Sequence, residues 1–291
     1  SQYYLTLFIM KINSISSTSK DFPERLRAIP QVPGRLYIRG ELPEYRLGIA
    51  IVGTRKPTAY GRQITFELAT RLTEKGAMIV SGLAHGIDGI AHEATVKAGG
   101  TGVVVLANGL DTVYPSTHAR LADKLLACGG ALVSEYEPGT PPLQFRFLER
   151  NRLVTGLSDK VIVTEAGLRS GTMNTVGHAL EQGRDVYAVP GPITSAMSAG
   201  CNALIAQGAT PIVSIDQFIE DLFPKTSKKQ ARLLAHTDEE QVILELLAGG
   251  IVDGDELQQK SALDGAVFAQ TMTMLEIRGA IRALGANRWG L

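Results

Sequence analysis

Two short apolar runs within residues 49–88 each end in a turn of small residues that leads into a helix-forming segment. The first run, residues 49–52, precedes the turn GTR at 53–55, and the second, residues 77–80, precedes SGLAHGID at 81–88. Such turns present free backbone N–H groups and a helix N-terminus, which favour an anion. Because the two turns follow successive strands, we expect them on one edge of a sheet, where together they suit a run of backbone phosphates.

Strand and helix patterns alternate along most of the chain. The strand-like runs are apolar and rich in β-branched residues, which predicts a mainly parallel sheet buried on both faces. The predicted fold class is α/β, an extended Rossmann-like, doubly wound sheet that binds ligands beyond the carboxyl ends of its strands. The predicted strands are 36–39, 49–52, 77–80, 102–106, 131–134, 160–164, 186–189 and 210–213, and the helices include 65–75, 89–98, 117–127, 172–182 and 201–207.

The length of 291 residues predicts one large and one small domain. We expect an N-terminal extension at 1–34, a Rossmann-like domain at 35–224 that carries these turns and a basic linker at 225–235. The remainder, 236–291, shows three helix patterns and two short strands, as in a small C-terminal winged-helix domain. It holds nine acidic and four basic residues. We therefore expect its recognition helix to contact protein or the neighbouring domain rather than a polyanion.

Composition narrows the possible classes of protein. The formal net charge is zero, so contact with a polyanion is expected in a local groove rather than over a basic face. No apolar run approaches the roughly 20 residues that span a bilayer, and residues 3–9 are too short for a signal peptide. Met10 is a candidate translation start. The two cysteines, Cys128 and Cys201, imply no disulfide framework and fit a reducing cytoplasm.

Two further segments carry candidate binding groups. The stretch PLQFRFLERNR at 142–152 interleaves aromatic rings with arginines, the combination that grips single strands by stacking and phosphate pairing. Phe145 and Phe147 alternate, so we expect one to face inward and the other outward. Of Arg150 and Arg152, one is expected to brace a loop carbonyl. A third turn at 169–172 opens another helix, with Ser170 as a candidate phosphate or cap donor.

Metal and nucleophilic chemistry find no support in the sequence. The five histidines are scattered without metal-ligand spacing, and the two cysteines form no cluster with them, so we reject a zinc site. Two serines, Ser81 and Ser170, precede glycine, but the G-x-S-x-G elbow of a catalytic triad does not occur. We expect no cofactor and no catalytic residue. Asp88 is expected to cap the helix that follows it rather than to contact an anion.

An ordered series of motifs resembles the DprA/Smf family of DNA-processing proteins. Its members are GTR at 53–55, SGLAHGID at 81–88, GLDTVYP at 109–115, SEYEPGTPP at 134–142, FRFLERNR at 145–152, EAGLRSGTMNT at 165–175, EQGRDVYAVPG at 181–191 and GCNALIAQGA at 200–209. The tail at 273–291 is similar to that family's winged helix. The resemblance implies a cytoplasmic homodimer that binds single-stranded DNA, protects incoming DNA and loads the recombinase RecA onto it during natural transformation. It implies no enzymatic activity.

The sequence and the resemblance together give one set of candidate phosphate- or DNA-binding residues. Gln144 stands where the family typically has a lysine, which removes one phosphate contact and leaves Arg146 to compensate. Arg55 is expected to be a principal phosphate ligand. The candidates are Gly53, Thr54, Arg55, Ser81, Gly82, Ala84, Phe145, Arg146, Phe147, Arg150, Asn151, Arg152, Arg169, Ser170, Gly171 and Thr172.

Two other functions remain open from the sequence. Nucleoside-monophosphate phosphoribohydrolases share the fold type, and Gly171-Thr172 matches their turn, but Met173-Asn174-Thr175 replaces the acid expected after it. Without that carboxylate no group is evident to assist N-glycosidic cleavage. A nucleotide-sensing adaptor is the second alternative, in which one turn binds a free nucleotide and the winged helix binds protein.

Overall fold

The computed structural model describes residues 11–45, 47–223, 235–285 and 287–291. The chain divides into two compact units, residues 1–219 and 220–291. Residues 1–10 and most of the predicted linker at 225–235 lie outside the described residues, as do the expectations attached to them. Within the described residues, no helix is both long enough and apolar enough to cross a membrane.

The first unit is built on one nine-stranded sheet, in the order β1-β2-β6-β5-β4-β3-β7-β8-β9. Neighbouring strands from β6 through β9 run parallel, whereas β2 is antiparallel to both β1 and β6. The strands are β1 Ile12–Ser16, β2 Arg35–Gly40, β3 Gly48–Val52, β4 Met78–Ser81, β5 Gly102–Val105, β6 Ala131–Ser134, β7 Lys160–Val163, β8 Asp185–Ala188 and β9 Thr210–Pro211. The predicted doubly wound, mainly parallel sheet is confirmed. The segment 1–34, expected to be an extension, contributes the edge strand β1.

The burial of the strands explains why their apolar pattern in the sequence predicted them. Every residue of β3, β4, β5 and β6 is buried, because helices cover both faces of the sheet. Ala50, Val52 and Val163 pack into one cluster, and Val104 and Leu132 belong to another. The chain places β4, β5 and β6 on one side of β3 and then returns to place β7 on the other. The strand order therefore switches direction between β3 and β7, where a crevice is expected.

Eight α-helices of the first part of the chain are described. They are α1 Glu24–Arg27, α2 Ala59–Glu74, α3 Ile87–Lys97, α4 Ala119–Ala127, α5 Gln144–Gly156, α6 Gly171–Glu181, α7 Ala199–Ala206 and α8 Ile215–Leu222. Helix α5 overturns the strand-like alternation expected for Phe145 and Phe147. Gln, Arg, Glu and Leu in this segment are good helix formers, and two alternating rings are too short a pattern to outweigh them.

The second unit contains the predicted winged-helix elements. They are α9 Asp238–Ala248, α10 Gly254–Ser261, α11 Gly265–Ile277, β10 Arg282–Gly285 and β11 Arg288–Gly290, the two strands pairing antiparallel. Side chains of Thr237, Asp253 and Asp264 accept backbone N–H groups at the starts of the three helices. Ile243 and Leu275 are fully buried between the helices.

Candidate nucleic-acid interface

A cleft of about 600 Å³ opens beyond the carboxyl ends of β3, β4 and β7, at the switch point of the sheet. It is bounded by the turns that follow these strands and by the first half of α5. The lining residues are Val52, Gly53, Thr54, Arg55, Gly82, Ala84, Asp88, Tyr114, Pro142, Gln144, Phe147, Leu148, Arg150, Asn151, Val154, Ser170, Gly171, Thr172 and Thr175. The cleft thus collects all three small-residue turns found in the sequence.

Arg55, Phe147 and Tyr114 lie in a row along one wall of the cleft. The guanidinium carbon of Arg55 lies 5.5 Å from the centroid of the Phe147 ring. The Phe147 and Tyr114 ring centroids are also 5.5 Å apart. Arg55 is exposed, and among the described residues its guanidinium has no hydrogen bond or ion pair. It therefore presents an uncompensated positive charge beside partly exposed aromatic rings, the pair of groups that a nucleotide strand requires.

Glu165 engages one N–H of the first turn and the start of the helix that follows it. The Thr54 N–H donates to the Glu165 carbonyl oxygen at 2.7 Å. The Thr58 N–H and hydroxyl donate to the two carboxylate oxygens of Glu165 at 2.8 and 2.7 Å. Thr58 is the N-cap residue of α2. The N-terminus of α2 therefore already holds a buried carboxylate, and a phosphate has no place there.

The second turn is likewise filled by an internal carboxylate. Asp88 accepts the Gly82 N–H at 3.1 Å, so it does not cap α3, whose N-cap is Gly86. The hydroxyl of Ser81 is buried and donates to the Ile51 carbonyl oxygen at 2.7 Å. Burial raises the pKa of Asp88, and the nearby Arg150 charge opposes that rise. The Gly82 N–H and the Ser81 hydroxyl, two of the donors expected for an anion, are therefore engaged within the protein.

Arg150 is the arginine that braces carbonyl groups, as expected for one of the pair. Its guanidinium donates to the carbonyl oxygens of Gly82, at 2.9 Å, and of Val105. Burial lowers the pKa of Arg150 to about 10, with the Asp88 carboxylate acting in the opposite direction and the Arg55 charge in the same one. Arg150 therefore remains charged at neutral pH and adds positive potential at the base of the cleft.

The third turn is the open one. Ser170 is the N-cap residue of α6 but makes no side-chain cap hydrogen bond, and its hydroxyl oxygen is buried and has no partner within the described residues. Gly171 is exposed, and the first turn of α6 contains no acidic residue. This helix start faces the cleft with its dipole uncompensated, so it is the turn best suited to an anion.

Several candidate residues lie outside the cleft lining. Arg146 lies between two rings, with its guanidinium carbon 5.1 Å from the Tyr136 centroid and 5.5 Å from that of Phe145. Phe145 is 53% exposed. Arg152 is buried and pairs with Glu135 at 2.5 Å. Arg152 thus has a structural partner and is not available to a ligand of the cleft.

Family comparison decides what kind of protein carries this cleft. The model of the family described as DNA recombination-mediator protein A matches residues 13–223, and that of the DprA winged helix domain matches residues 227–287. The chain belongs to the DprA/Smf family of DNA-processing proteins. The resemblance read from the motifs is therefore confirmed.

Relatives and solved structures agree with this assignment. The chain is 44% identical over 209 residues to protein Smf of Escherichia coli, which covers 72% of this chain and 56% of that protein. It is 43% identical to DNA processing protein DprA of Bacillus subtilis, covering 72% of this chain and 71% of the relative. The structure of DNA processing protein A from Helicobacter pylori, described for its single-stranded DNA binding mode, has a TM-score of 0.67 and 33% identity. That match covers 74% of this chain and 96% of the other.

The DprA-type cleft brings together most of the residues predicted from the sequence, although their contact with DNA stays a prediction. Those that line it are Gly53, Thr54, Arg55, Gly82, Ala84, Phe147, Arg150, Asn151, Ser170, Gly171 and Thr172, and those that do not are Ser81, Phe145, Arg146, Arg152 and Arg169.

Two functional candidates were missed by the sequence reasoning. Tyr114 lies within the GLDTVYP motif, but only the fold brings it against Phe147. Glu165 lies just beyond the carboxyl end of β7, where ligands bind in sheets of this kind. That position in the sequence could have marked it as a candidate. Within the described residues, no group of three or more His, Cys, Asp or Glu side chains could hold a metal ion.

Proposed function

We propose that this DprA-family protein binds single-stranded DNA in the cleft described above. The phosphates meet Arg55 and the N-terminus of α6, and a base stacks on Phe147 beside Tyr114. The observation that carries the proposal is the Arg55–Phe147 pair, at 5.5 Å, next to an open helix start. A free strand exposes both phosphates and bases, whereas a duplex hides the base faces.

The charges around the cleft support a polyanionic ligand. Arg55 and Arg150 line it, and Asp88 is the one acidic residue among its described lining. Asp88 is engaged by the Gly82 N–H and lies beside Arg150, so its charge is compensated. The same engagement leaves it unsuited to general acid–base work. We therefore propose a binding protein rather than an enzyme.

The wider role follows the family and the relative described for its single-stranded DNA binding mode. We propose a cytoplasmic homodimer that protects incoming single strands and loads the recombinase RecA onto them in natural transformation or homologous recombination. Residues 207–223, which include the exposed Val213, are the proposed dimer surface. Two cleft-bearing protomers would double the phosphate contacts to one long strand.

Binding of oligothymidylate, of a duplex of equal length and of thymidine monophosphate tests the proposal. We expect the long single strand to bind tightest and the mononucleotide to bind weakly, because one nucleotide offers only one phosphate and one base. Equal affinity for single strand and duplex would contradict the proposal.

Two other outcomes would point to the alternative functions. Mononucleotide binding as tight as that of the oligonucleotide would favour a nucleotide-sensing adaptor. Release of free base from a nucleoside monophosphate would favour an N-glycosidic hydrolase. Sedimentation of the free protein and of its complex with DNA measures the oligomeric state independently.

A further inference from the structure

We propose that Glu165 is a positioning residue for single-stranded DNA binding. This inference rests on the function proposed above and concerns how Arg55 is held. Glu165 is 2% exposed and is not part of the cleft lining, so it does not touch the ligand. It acts through the segment 54–58, which carries Arg55 at the edge of the cleft.

Glu165 holds this segment at both ends. At the start, its backbone carbonyl oxygen accepts the Thr54 N–H at 2.7 Å. At the end, its carboxylate accepts both the N–H and the hydroxyl of Thr58, at 2.8 and 2.7 Å. Between these anchors the Lys56 N–H donates to the Thr54 hydroxyl oxygen at 3.2 Å. One buried residue therefore anchors both ends of the backbone that carries Arg55.

Close packing fixes the position of the Glu165 side chain. A side chain at Gly61, in the first turn of α2, would collide with the Glu165 carboxylate. On the other side of the segment, Gly86 has a φ of +81°, and a side chain there would collide with the Thr54 carbonyl oxygen. The Ile87 N–H donates to that same oxygen at 3.2 Å. The segment is thus fixed between Glu165 and the start of α3.

Glu165 also links Arg55 to the open turn. It lies two residues beyond the end of β7, and the chain then runs from it to Ser170 at the start of α6. One residue therefore places the cation and begins the loop that supplies the helix N-terminus. If the carboxylate were lost, the Glu165 carbonyl oxygen would still hold Thr54, but the Thr58 end of the segment would have to be ordered when DNA binds, and that ordering would reduce the affinity.

A double-mutant cycle between Glu165 and Arg55 tests this role. We expect Glu165→Ala to weaken oligothymidylate binding about tenfold, the size of effect expected for Arg55→Ala. In the Glu165→Ala background, Arg55→Ala should cost less than about threefold, because an unplaced arginine contributes little. Glu165→Gln keeps the size and one carbonyl oxygen of the side chain, so it should restore part of the affinity.

A matched control separates placement from general destabilisation. Thr65→Val removes a buried hydrogen bond of 2.7 Å to Thr164, between α2 and the residue before Glu165, without touching the segment 54–58. It should lower the melting temperature and leave DNA affinity unchanged. If Glu165→Ala does not fold, Thr58→Ala can replace it. Thr58 is exposed, and this substitution removes the hydrogen bond from its hydroxyl to Glu165. The same double-mutant cycle is then measured with Thr58→Ala in place of Glu165→Ala.

The outcomes distinguish this inference from the proposed function. Additive losses from Glu165→Ala and Arg55→Ala, or unchanged affinity in Glu165→Ala, would overturn the positioning role while leaving DNA binding in place. A wild-type protein that binds no oligothymidylate would overturn both. If the affinity losses of Glu165→Ala and Arg55→Ala are not additive and Thr65→Val keeps its DNA affinity, both the positioning role and DNA binding in the cleft are supported.

Discussion

The cleft and the winged-helix recognition helix are both parts of folds that bind nucleic acid, yet their side chains differ in kind. In the cleft, Arg55 and Arg150 bring positive charge next to the ring of Phe147. Helix α11, Gly265–Ile277, contains no lysine or arginine, and its exposed side chains include Met274 and Ile277. Fold type alone therefore does not decide which surface meets a polyanion.

The residues at the ends of α11 reinforce this contrast. Arg278, just after the helix, pairs with the buried Glu240 at 2.5 Å, and Asp264, just before it, caps the first turn. Glu276 is exposed on the helix itself. A DNA duplex in contact with this surface would face an acidic side chain and apolar side chains. A recognition helix normally brings basic side chains instead. The comparison predicts that DNA affinity resides in the first unit of the chain.

Charge reversal at Arg55 should have the largest effect. Arg55→Ala removes a charge-assisted contact of about 1.5–3 kcal/mol, or at least about tenfold in affinity. Arg55→Glu should cost more, because it also repels the strand. The loss should be the same for oligothymidylate and for a mixed sequence, since a phosphate contact does not read bases. Fluorescence anisotropy at fixed salt measures both.

Arg62→Glu is the matched control for this reversal. Arg62 is exposed on α2 and does not line the cleft. Its reversal should change affinity only slightly through long-range charge. A loss equal to that of Arg55→Glu would show that overall charge, rather than the cleft, governs binding. Melting temperatures of both variants should match the wild type, since neither side chain is buried.

Removal of the Phe147 ring should have the next largest effect. A base stacked on an aromatic ring contributes about 1–3 kcal/mol, so we expect Phe147→Ala to weaken oligothymidylate binding by roughly fivefold or more. Phe145→Ala removes an equally large ring that lies outside the cleft and is 53% exposed. The comparison of the two variants measures whether stacking is specific to the cleft. Greater loss from Phe145→Ala would place the strand on the outer side of α5.

Deletion of residues 236–291 should have the smallest effect. Because the recognition helix lacks basic residues, the truncated chain should bind single-stranded oligonucleotide within about threefold of the full chain. The same deletion should reduce any binding of a protein partner that uses the apolar face of α11. A hundredfold loss of DNA affinity, about 2.7 kcal/mol, would contradict the contrast between the two regions.

Local patterns in the sequence predicted eight of the nine strands of the sheet, all but β1, but not the fine structure of the cleft. The strand at 49–52 could be predicted because a continuous apolar run is typical of a strand that is buried on both faces. Helix α5 was not predicted, because the short alternation of aromatic rings in it resembles the pattern of a strand. The turns were found by their small residues. That Glu165 engages the first of them depends on a contact with Thr58, 107 positions away, which no local pattern records. Asp88 lies only six positions from Gly82, but its place near the start of a helix was interpreted as a cap.

The central claim is that the Arg55 guanidinium pairs with a phosphate in the cleft. The salt dependence of single-stranded DNA binding tests this claim most directly. Log affinity for a single strand falls with log salt concentration at about −0.7 per phosphate contact. We predict that Arg55→Ala makes the slope shallower by about 0.7 for each protomer that contacts the strand. A slope equal to that of the wild type, even with weaker binding, would show that Arg55 pairs with no phosphate.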